Sequence, residues 1–407
     1  MNLGFPLCAD AGHGERIREA LNECVTLLTR RLCAPSPVAV VLTGSFARGE
    51  GTVLPLADGT LKVLGDVEFF VVLPGLGDSR RRRRQLGAWA REMSSRLVSR
   101  GLRLDVEFGP VDVGFFGPRA RPSIFVHDLR THGKVLWGRP DVLDAIPAFE
   151  PPAIPREDAV RLVLNRIVEQ LAAWDRLPAL RAGDVLDTAY QRLKLTLDLA
   201  GSALAFAGTH TALYRRRPTA FARLVAETPS LAAHLPPEFA PELAHAARAK
   251  LDPESDVAAL PARAGLEEQR AWLAARIAAA VPATTGILQW QLAHLQGRAG
   301  RLEDLLARFL RSTPPLARVK DWAKLLLNPL PAPCPISHLR AARLFWTSTP
   351  RALIYAAATR TYMALGTATP APDVTRLLPL SRAAAPGDAA AQRRAIVALW
   401  QWCVRNT

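Results

Sequence analysis

Cysteine is scarce in this chain. The 407 residues include only five, at Cys8, Cys24, Cys33, Cys334 and Cys403. Their number is odd, no two form a C-x-x-C pair, and no group of them has the spacing of a zinc site. The sequence therefore argues against both a disulfide framework and a cysteine-based zinc site.

Long apolar runs and common nucleotide-binding motifs are also missing. The chain has no G-x-x-x-x-G-K-[ST], G-x-G-x-x-G or H-E-x-x-H motif. The most apolar helix candidate, "LKLTLDLAGSALAFAG", is interrupted by Asp198 and is too short to span a bilayer. The first residues lack a basic segment followed by a long apolar core. We therefore expect a cytoplasmic protein with no membrane partner.

Lysine is rare, because the 52 basic residues comprise 46 arginines and 6 lysines. The formal net charge is +15 and is unevenly distributed. Residues 1–150 hold 20 basic and 17 acidic residues, net +3, whereas residues 151–407 hold 32 and 20, net +12. The second part could steer an anionic substrate toward a site, or it could be a basic surface with no specific partner.

Length and composition indicate a globular protein of two or three domains, since 49% of the residues are hydrophobic and 22% are charged. The segment "AIPAFEPPAIPRED", residues 145–158, contains four prolines and is the best linker candidate. We predict a first domain over residues 1–150 and an all-helical acceptor-binding or accessory region over residues 151–407. The proline-rich part near residues 312–335 could divide that helical region again.

The first 150 residues alternate between helical and strand patterns. Residues 15–32 and 79–100 read as helices, whereas "VAVVLTG", "VEFFVVLP" and "LRLDVEFGPVDVGFF" read as strands. We therefore predict an α+β fold, with a small sheet packed by helices, followed by an all-α region. The predicted later helices cover residues 157–177, 184–208, 262–281, 286–311, 316–328, 336–346, 350–364 and 388–405, with irregular structure or short helices over 214–260.

Four acidic residues lie on two of the predicted strands. Asp66 and Glu68 are two residues apart on one strand, so their side chains point to the same face, and Asp105 and Glu107 repeat this spacing on the next strand. Carboxylates this close repel one another unless a cation lies between them. Oxygen ligands that leave room for water and phosphate suit Mg²⁺ better than zinc. The four residues are therefore candidate metal ligands.

A glycine and a serine follow the first strand, in the stretch "LTGSFARGEG". Gly44 lets the backbone approach a phosphate, and free N–H groups together with the Ser45 hydroxyl can donate to its oxygens. Arg48, one turn later, could make a bidentate contact with a triphosphate. Glu50 reads as an acid at a helix N-terminus rather than as a metal ligand.

These motifs together resemble the DNA polymerase β-like nucleotidyltransferase superfamily. The G-S-x-A-R-G-E run is similar to the minimal nucleotidyltransferase branch, and the D-x-E pair with "LDVEF" is similar to the kanamycin-type enzymes. The resemblance covers roughly residues 35–140 and includes "SIFVHDLRTHGKVLWG", which is similar to the segment that closes many of these domains.

The resemblance implies a small mixed sheet, two Mg²⁺ ions, and transfer of a nucleoside monophosphate from a nucleoside triphosphate to a hydroxyl or phosphate. It places Gly44 and Ser45 on the phosphate-binding turn, and Asp66 and Glu68 on the metal pair. Asp105 falls on the third acid, which often also takes the proton of the acceptor, and Glu107 is the alternative for that role.

One departure from the family pattern lies between Ser45 and Asp66, which are 21 positions apart instead of a much shorter distance. The intervening "TVLPLADGTLKVLG" is either a longer hairpin that leaves the site intact or a sign of an inactive site. The acceptor is a small molecule or RNA. The alternative function is an inactive protein of this fold that binds nucleotides or nucleic acids or acts as an interaction module.

Several polar residues outside these motifs have two possible roles. Tyr190, Lys194 and Asp198 are spaced four apart, so they form one polar stripe along a helix. That stripe is either an ordinary exposed face or a position from which Lys194 reaches a phosphate. His127 and His132 are interpreted as structural, because two histidines near a turn are weak evidence for acid–base chemistry.

Overall fold

The computed structural model describes residues 5–117, 120–253, 265–327, 332, 336–367, 373–379 and 388–405. The chain forms two compact units. The first comprises Met1–Asp158, Leu204–Phe221 and Pro241–Arg263, and the second comprises Ala159–Ala203, Ala222–Ala240 and Ala264–Thr407. The first unit thus contains the whole predicted first domain and also two later segments. The described part of residues 312–335 lies within the second unit.

The first unit contains a five-stranded sheet. Its strands are β1 (Ala39–Leu42), β2 (Thr52–Pro55), β3 (Leu61–Leu73), β4 (Leu102–Asp112) and β5 (Lys134–Gly138). The long strand β3 pairs with β2 and then with β1 along one edge, both antiparallel, and with β4 along the other edge, in parallel. Strand β5 is antiparallel to β1. The predicted α+β class and the mixed character of the sheet are confirmed.

The helices of the first unit that lie near the sheet are α1 (Ala11–Arg31), α2 (Gly44–Ala47), α3 (Leu76–Ser99) and α4 (Ile124–His132). Residues of α1 and α3 share one buried cluster with Val67 and Phe69 of β3, whereas residues of α4 share another with Val72. Because side chains alternate along a strand, Asp66 and Glu68 lie on the same face of the sheet as Val72. They come earlier in β3 than Val72, around which residues of α4 cover that face.

The long interval between Ser45 and Asp66 contains a hairpin. Strand β2 pairs with the first residues of β3, from Thr52 opposite Leu64 to Pro55 opposite Leu61. A bulge follows, in which Gly65 has a φ of +97° and the β3–β4 register shifts before Asp66. The additional residues therefore extend the sheet, and Asp66 lies inside β3 rather than at its start.

Two segments from beyond residue 200 complete the first unit. The Glu50 carboxylate is fully buried and accepts hydrogen bonds from the backbone N–H groups of Tyr214 at 2.9 Å and Arg215 at 3.1 Å. The buried Lys250 ammonium donates to the Glu50 carbonyl at 2.9 Å and to the Thr52 hydroxyl at 2.6 Å. These buried polar contacts explain why the first compact unit extends past the predicted boundary at residue 150.

The rest of the described chain is helical, as predicted. The helices are α5 (Arg156–Arg176), α6 (Val185–Phe206), α7 (Arg217–Glu227), α8 (Pro229–Ala232), α9 (Phe239–Leu251), α10 (Leu266–Ala279), α11 (Val281–Leu295), α12 (Leu302–Arg311), α13 (Pro315–Leu326), α14 (His338–Phe345), α15 (Pro350–Met363) and α16 (Ala389–Trp400). The single helix predicted over 286–311 is two helices, because the chain turns at Gly297, where φ is +61°.

The stretch Leu266–Leu295 is long and apolar enough to cross a bilayer, judged by length and composition alone. Core helices of soluble proteins pass the same test, and 44% of its most apolar window is buried inside the protein. The sequence-based expectation of no membrane partner stays a prediction.

The polar stripe on α6 is not an exposed face. Tyr190 and Asp198 are both buried, and the Arg166 Nε donates to a carboxylate oxygen of Asp198 at 2.7 Å. Lys194 lies between them on the helix and is half-buried. The interpretation of this stripe as an ordinary solvated surface is therefore wrong for Tyr190 and Asp198, because an ion pair inside the second unit satisfies the aspartate.

Candidate functional site

Three carboxylates converge on the sheet of the first unit. One oxygen from each of Asp66, Glu68 and Glu107 lies within 4.8 Å of those of the other two. Asp66 and Glu68 are half-buried and Glu107 is exposed, so the group opens to solvent. The structure thus brings together three of the four predicted metal ligands.

The pairing of β3 with β4 produces this group. In the parallel register Asp66 lies opposite Asp105, and Glu68 lies opposite Glu107. Residues Leu104, Val106 and Phe108 of β4 are buried, so the alternation turns Asp105 and Glu107 away from that core. Asp105 is exposed beside the group, but the three converging oxygens come from Asp66, Glu68 and Glu107. Glu107, the alternative third acid, has the geometry expected of a ligand.

The turn after β1 lies against the same carboxylates. Leu42 ends β1 opposite Phe69, and the Thr43 N–H donates to the Glu68 carbonyl at 3.0 Å. Gly44 has a φ of +73°, and a Cβ placed on it would lie 3.2 Å from Glu68 Oε2. Ser45 follows at the start of the short helix α2 and is half-buried. The predicted phosphate-binding turn and the predicted metal ligands are therefore adjacent.

Arg48 is largely enclosed by protein. Its side chain is 10% exposed and lies 3.9 Å from Glu50 and 3.5 Å from Asp128, and its guanidinium stacks over the Tyr214 ring at 5.1 Å. These contacts give it a structural role that joins α2 to α4 and to the segment around residue 214. Its predicted contact with a triphosphate stays a prediction.

Lys194 lies in the second unit, on α6, apart in the chain from every other predicted site residue. Its predicted contact with a phosphate also stays a prediction.

A second group of potential ligands lies in the first unit, formed by His127, Asp128 and His210. Two of these residues come from α4, and the third belongs to the segment Leu204–Phe221. His210 Nε2 is 2.7 Å from Asp128 Oδ1, and His127 Nδ1 is 3.5 Å from the same oxygen. The sequence favours a structural role for His127 and contains no local signal for the other two, since 82 residues separate Asp128 from His210.

The charge state of Asp128 follows from its neighbours. Burial disfavours its ionised form, but the close contact with His127, the hydrogen bond with His210 and the charge of Arg48 outweigh burial and hold the pKa of Asp128 well below its usual range. Asp128 is therefore a carboxylate at neutral pH, ready to pair with cations.

Comparison with family models, with curated proteins and with solved structures found no match to this chain. The resemblance to nucleotidyltransferases therefore stays a prediction from the motifs. The geometry of the first unit supplies the further observations on which a functional proposal can rest.

Proposed function

We propose that this protein is a nucleotidyltransferase, which transfers a nucleoside monophosphate from a nucleoside triphosphate to an acceptor hydroxyl or phosphate. The observation that carries the proposal is the convergence of Asp66, Glu68 and Glu107 beside the turn at Gly44. Asp66 and Glu107, which are 41 positions apart in the sequence, converge here, and Gly44 lies against Glu68.

The donor set of this group fits Mg²⁺. All three side chains offer carboxylate oxygens, which are hard ligands, and their partial exposure leaves room for water and phosphate oxygens. Asp66 and Glu68 would hold the two ions, and Glu107 would complete the site. Bound Mg²⁺ supplies charge neutralisation for the triphosphate during an in-line displacement.

The Gly44–Ser45 turn would bind the triphosphate. Gly44 carries no side chain between the turn and Glu68, so the backbone can bring phosphate oxygens next to the carboxylates. The Ser45 hydroxyl and the N–H groups of the turn are donors for those oxygens. This contact would orient the α-phosphate for attack by the acceptor.

Glu107 is our candidate for the group that takes the proton of the acceptor hydroxyl, with Asp105 as the alternative. A carboxylate in hydrogen-bond reach of an attacking hydroxyl can serve as general base. The exposed position of Glu107 is accessible to an acceptor arriving from solvent.

The proposal is tested by incubating the protein with each labelled nucleoside triphosphate, Mg²⁺, and either RNA or a metabolite extract. We expect wild-type protein to transfer label and release pyrophosphate. The double variant Asp66→Asn/Glu68→Gln should lose at least about 100-fold of that rate, because it removes two charged ligands while preserving their shape.

The matched control is Asp58→Asn, which changes an exposed carboxylate in the turn between β2 and β3. It should transfer label at the wild-type rate. Circular dichroism spectra identical to wild type would show that the double variant is folded. Label transfer that survives in the folded double variant would refute the assignment of this site.

A further inference from the structure

The group formed by His127, Asp128 and His210 has the composition of a metal site that differs from the three-carboxylate group. It offers two imidazoles and one carboxylate, and one ligand atom from each lies within 4.8 Å of the others. The two imidazole rings are 5.3 Å apart at an interplanar angle of 82°, so they approach edge to face. Two rings and a carboxylate therefore point toward one small volume.

The two oxygens of Asp128 have different partners. Oδ1 faces His210 at 2.7 Å and His127 at 3.5 Å, whereas Oδ2 faces the Arg48 guanidinium at 3.5 Å. In protein metal sites, a ligating carboxylate is commonly oriented by an outer partner on its second oxygen. Arg48 has that position here, and it leaves Oδ1 directed at the imidazoles.

Among the described residues, two ring nitrogens of this group have no hydrogen-bond partner. The Nδ1 atoms of His127 and of His210 are both buried and have no hydrogen-bond partner there. The His210 side chain is 1% exposed and the His127 side chain is 15% exposed. Buried polar atoms without a partner are uncommon in native proteins and are costly. A cation next to His127 Nδ1 would supply a closer partner than the Asp128 oxygen, which lies 3.5 Å away.

We propose that His127, Asp128 and His210 bind one divalent transition-metal ion of the zinc class. Two imidazoles with one carboxylate suit Zn²⁺ and its neighbours, whereas Mg²⁺ prefers sites made only of oxygen. The site is separate from the three-carboxylate group, both in its residues and in the metal it selects. It does not depend on the proposed transferase activity.

Bound metal would connect two parts of the chain. His127 and Asp128 belong to α4, and His210 precedes the helical turn at Tyr214–Arg216 that Glu50 binds. The ion would thus fix the segment Leu204–Phe221 to the remainder of the first unit. Three protein ligands leave a further coordination position for water, as in other three-ligand zinc sites.

The test is a titration of the full chain, first freed of transition metals, with Co²⁺ and then with Zn²⁺, followed by visible absorption; Mg²⁺ is kept in large excess so that it occupies the three-carboxylate group. We expect wild-type protein to bind one equivalent of Co²⁺ with ligand-field absorption that Zn²⁺ abolishes. His127→Gln and His210→Gln should lower Co²⁺ affinity at least about 100-fold, because each removes one of three ligands. The surface variant His338→Gln should bind Co²⁺ as wild type does.

A measurement on wild-type protein keeps the proposal testable if the histidine variants do not fold. X-ray absorption at the zinc edge should show two imidazole ligands and the remaining ligands as oxygen. Three results would overturn the proposal. One is failure of wild-type protein to bind Co²⁺ or Zn²⁺, and another is a zinc spectrum with no imidazole ligand. The third is Co²⁺ binding that persists in both folded histidine variants. Loss of label transfer in the carboxylate variants has no bearing on these outcomes, so the two proposals fail separately.

Discussion

Gly44 meets two requirements that alanine cannot meet together. Its φ of +73° disfavours a side chain, and a Cβ would lie 3.2 Å from Glu68 Oε2. Gly59, in the hairpin turn, has a similar φ of +78° with nothing within 4 Å of a Cβ. We expect Gly44→Ala and Gly59→Ala each to lower the free energy of unfolding by about 1–2 kcal/mol, but only Gly44→Ala to reduce nucleotide transfer. Urea unfolding and labelled transfer measure the two effects, and equal activity in both variants would contradict a role for the turn.

Glu50 is a buried carboxylate with partners from a distant segment. It accepts two backbone N–H groups and the Arg215 side chain at 2.9 Å, and its carboxylate is completely enclosed. Glu50→Gln should therefore lower the free energy of unfolding by about 3 kcal/mol, because a neutral amide replaces a buried carboxylate that accepts from two backbone N–H groups and from Arg215. Urea unfolding measures this loss. Glu92→Gln, which changes an exposed partner of Arg31, is the control and should have little effect.

At the scale of the strands, the register of β3 with β4 distinguishes the two candidates for the third acid. Glu107 joins the converging carboxylates, whereas Asp105 lies opposite Asp66 and is exposed. We expect Glu107→Gln to lower kcat at least about 100-fold and Asp105→Asn to change it less than about 10-fold. Steady-state kinetics on both variants checks this order. The reverse order would identify Asp105 as the third acid.

Local patterns in the sequence predict the strands and helices well, but they do not fix contacts between distant segments. The i, i+2 spacing places Asp66 and Glu68 on one face, because that spacing is a property of any strand. The choice between Asp105 and Glu107 depends on the bulge before Asp66 and on side-chain length, which spacing does not reveal. His210 could not be associated with Asp128, because no local pattern connects residues 82 positions apart.

Glu50 illustrates the same limit. The sequence indicates an acid at a helix N-terminus, and the Glu50 carboxylate does bind backbone N–H groups where a helical segment begins. That segment starts at Tyr214 rather than near Glu50. The chemistry of the residue was predictable from its type, whereas its partner was not, since the partner is set by tertiary packing.

At the scale of the whole molecule, the reactivity of two buried cysteine thiols shows whether each of the two compact units is folded. Burial raises the pKa of Cys24 in the first unit, and burial raises the pKa of Cys403 in the second to about 12. Cys33 is exposed. Because the thiolate is the reactive form, we expect a thiol reagent at pH 8 to label Cys33 in native protein and to label Cys24 and Cys403 only as urea opens their units. Peptide mass spectrometry measures this order, and rapid native labelling of Cys24 would contradict the described packing.

An RNA acceptor is one of the two proposed acceptors, and it fits the basic part of the chain. The net charge is +15, and +12 of it lies in residues 151–407. Binding of a single-stranded RNA should therefore weaken at least about 10-fold between 50 and 200 mM salt, because neutralised phosphates release counterions. Fluorescence anisotropy at several salt concentrations measures the slope. Label transfer to a small molecule with no salt-dependent RNA binding would favour the metabolite instead.

The first unit also constrains the order of events during protein synthesis. Its segments end at residues 158, 221 and 263, and Glu50 and Thr52 receive their buried partners from the last two. A ribosome adds roughly 5 to 20 residues per second, so roughly 5 to 20 s pass between the completion of the first segment and the third. During that interval the nascent sheet lacks the partners of a buried carboxylate. A chain released after residue 158 should therefore depend on chaperones and be degraded more readily than the full-length protein.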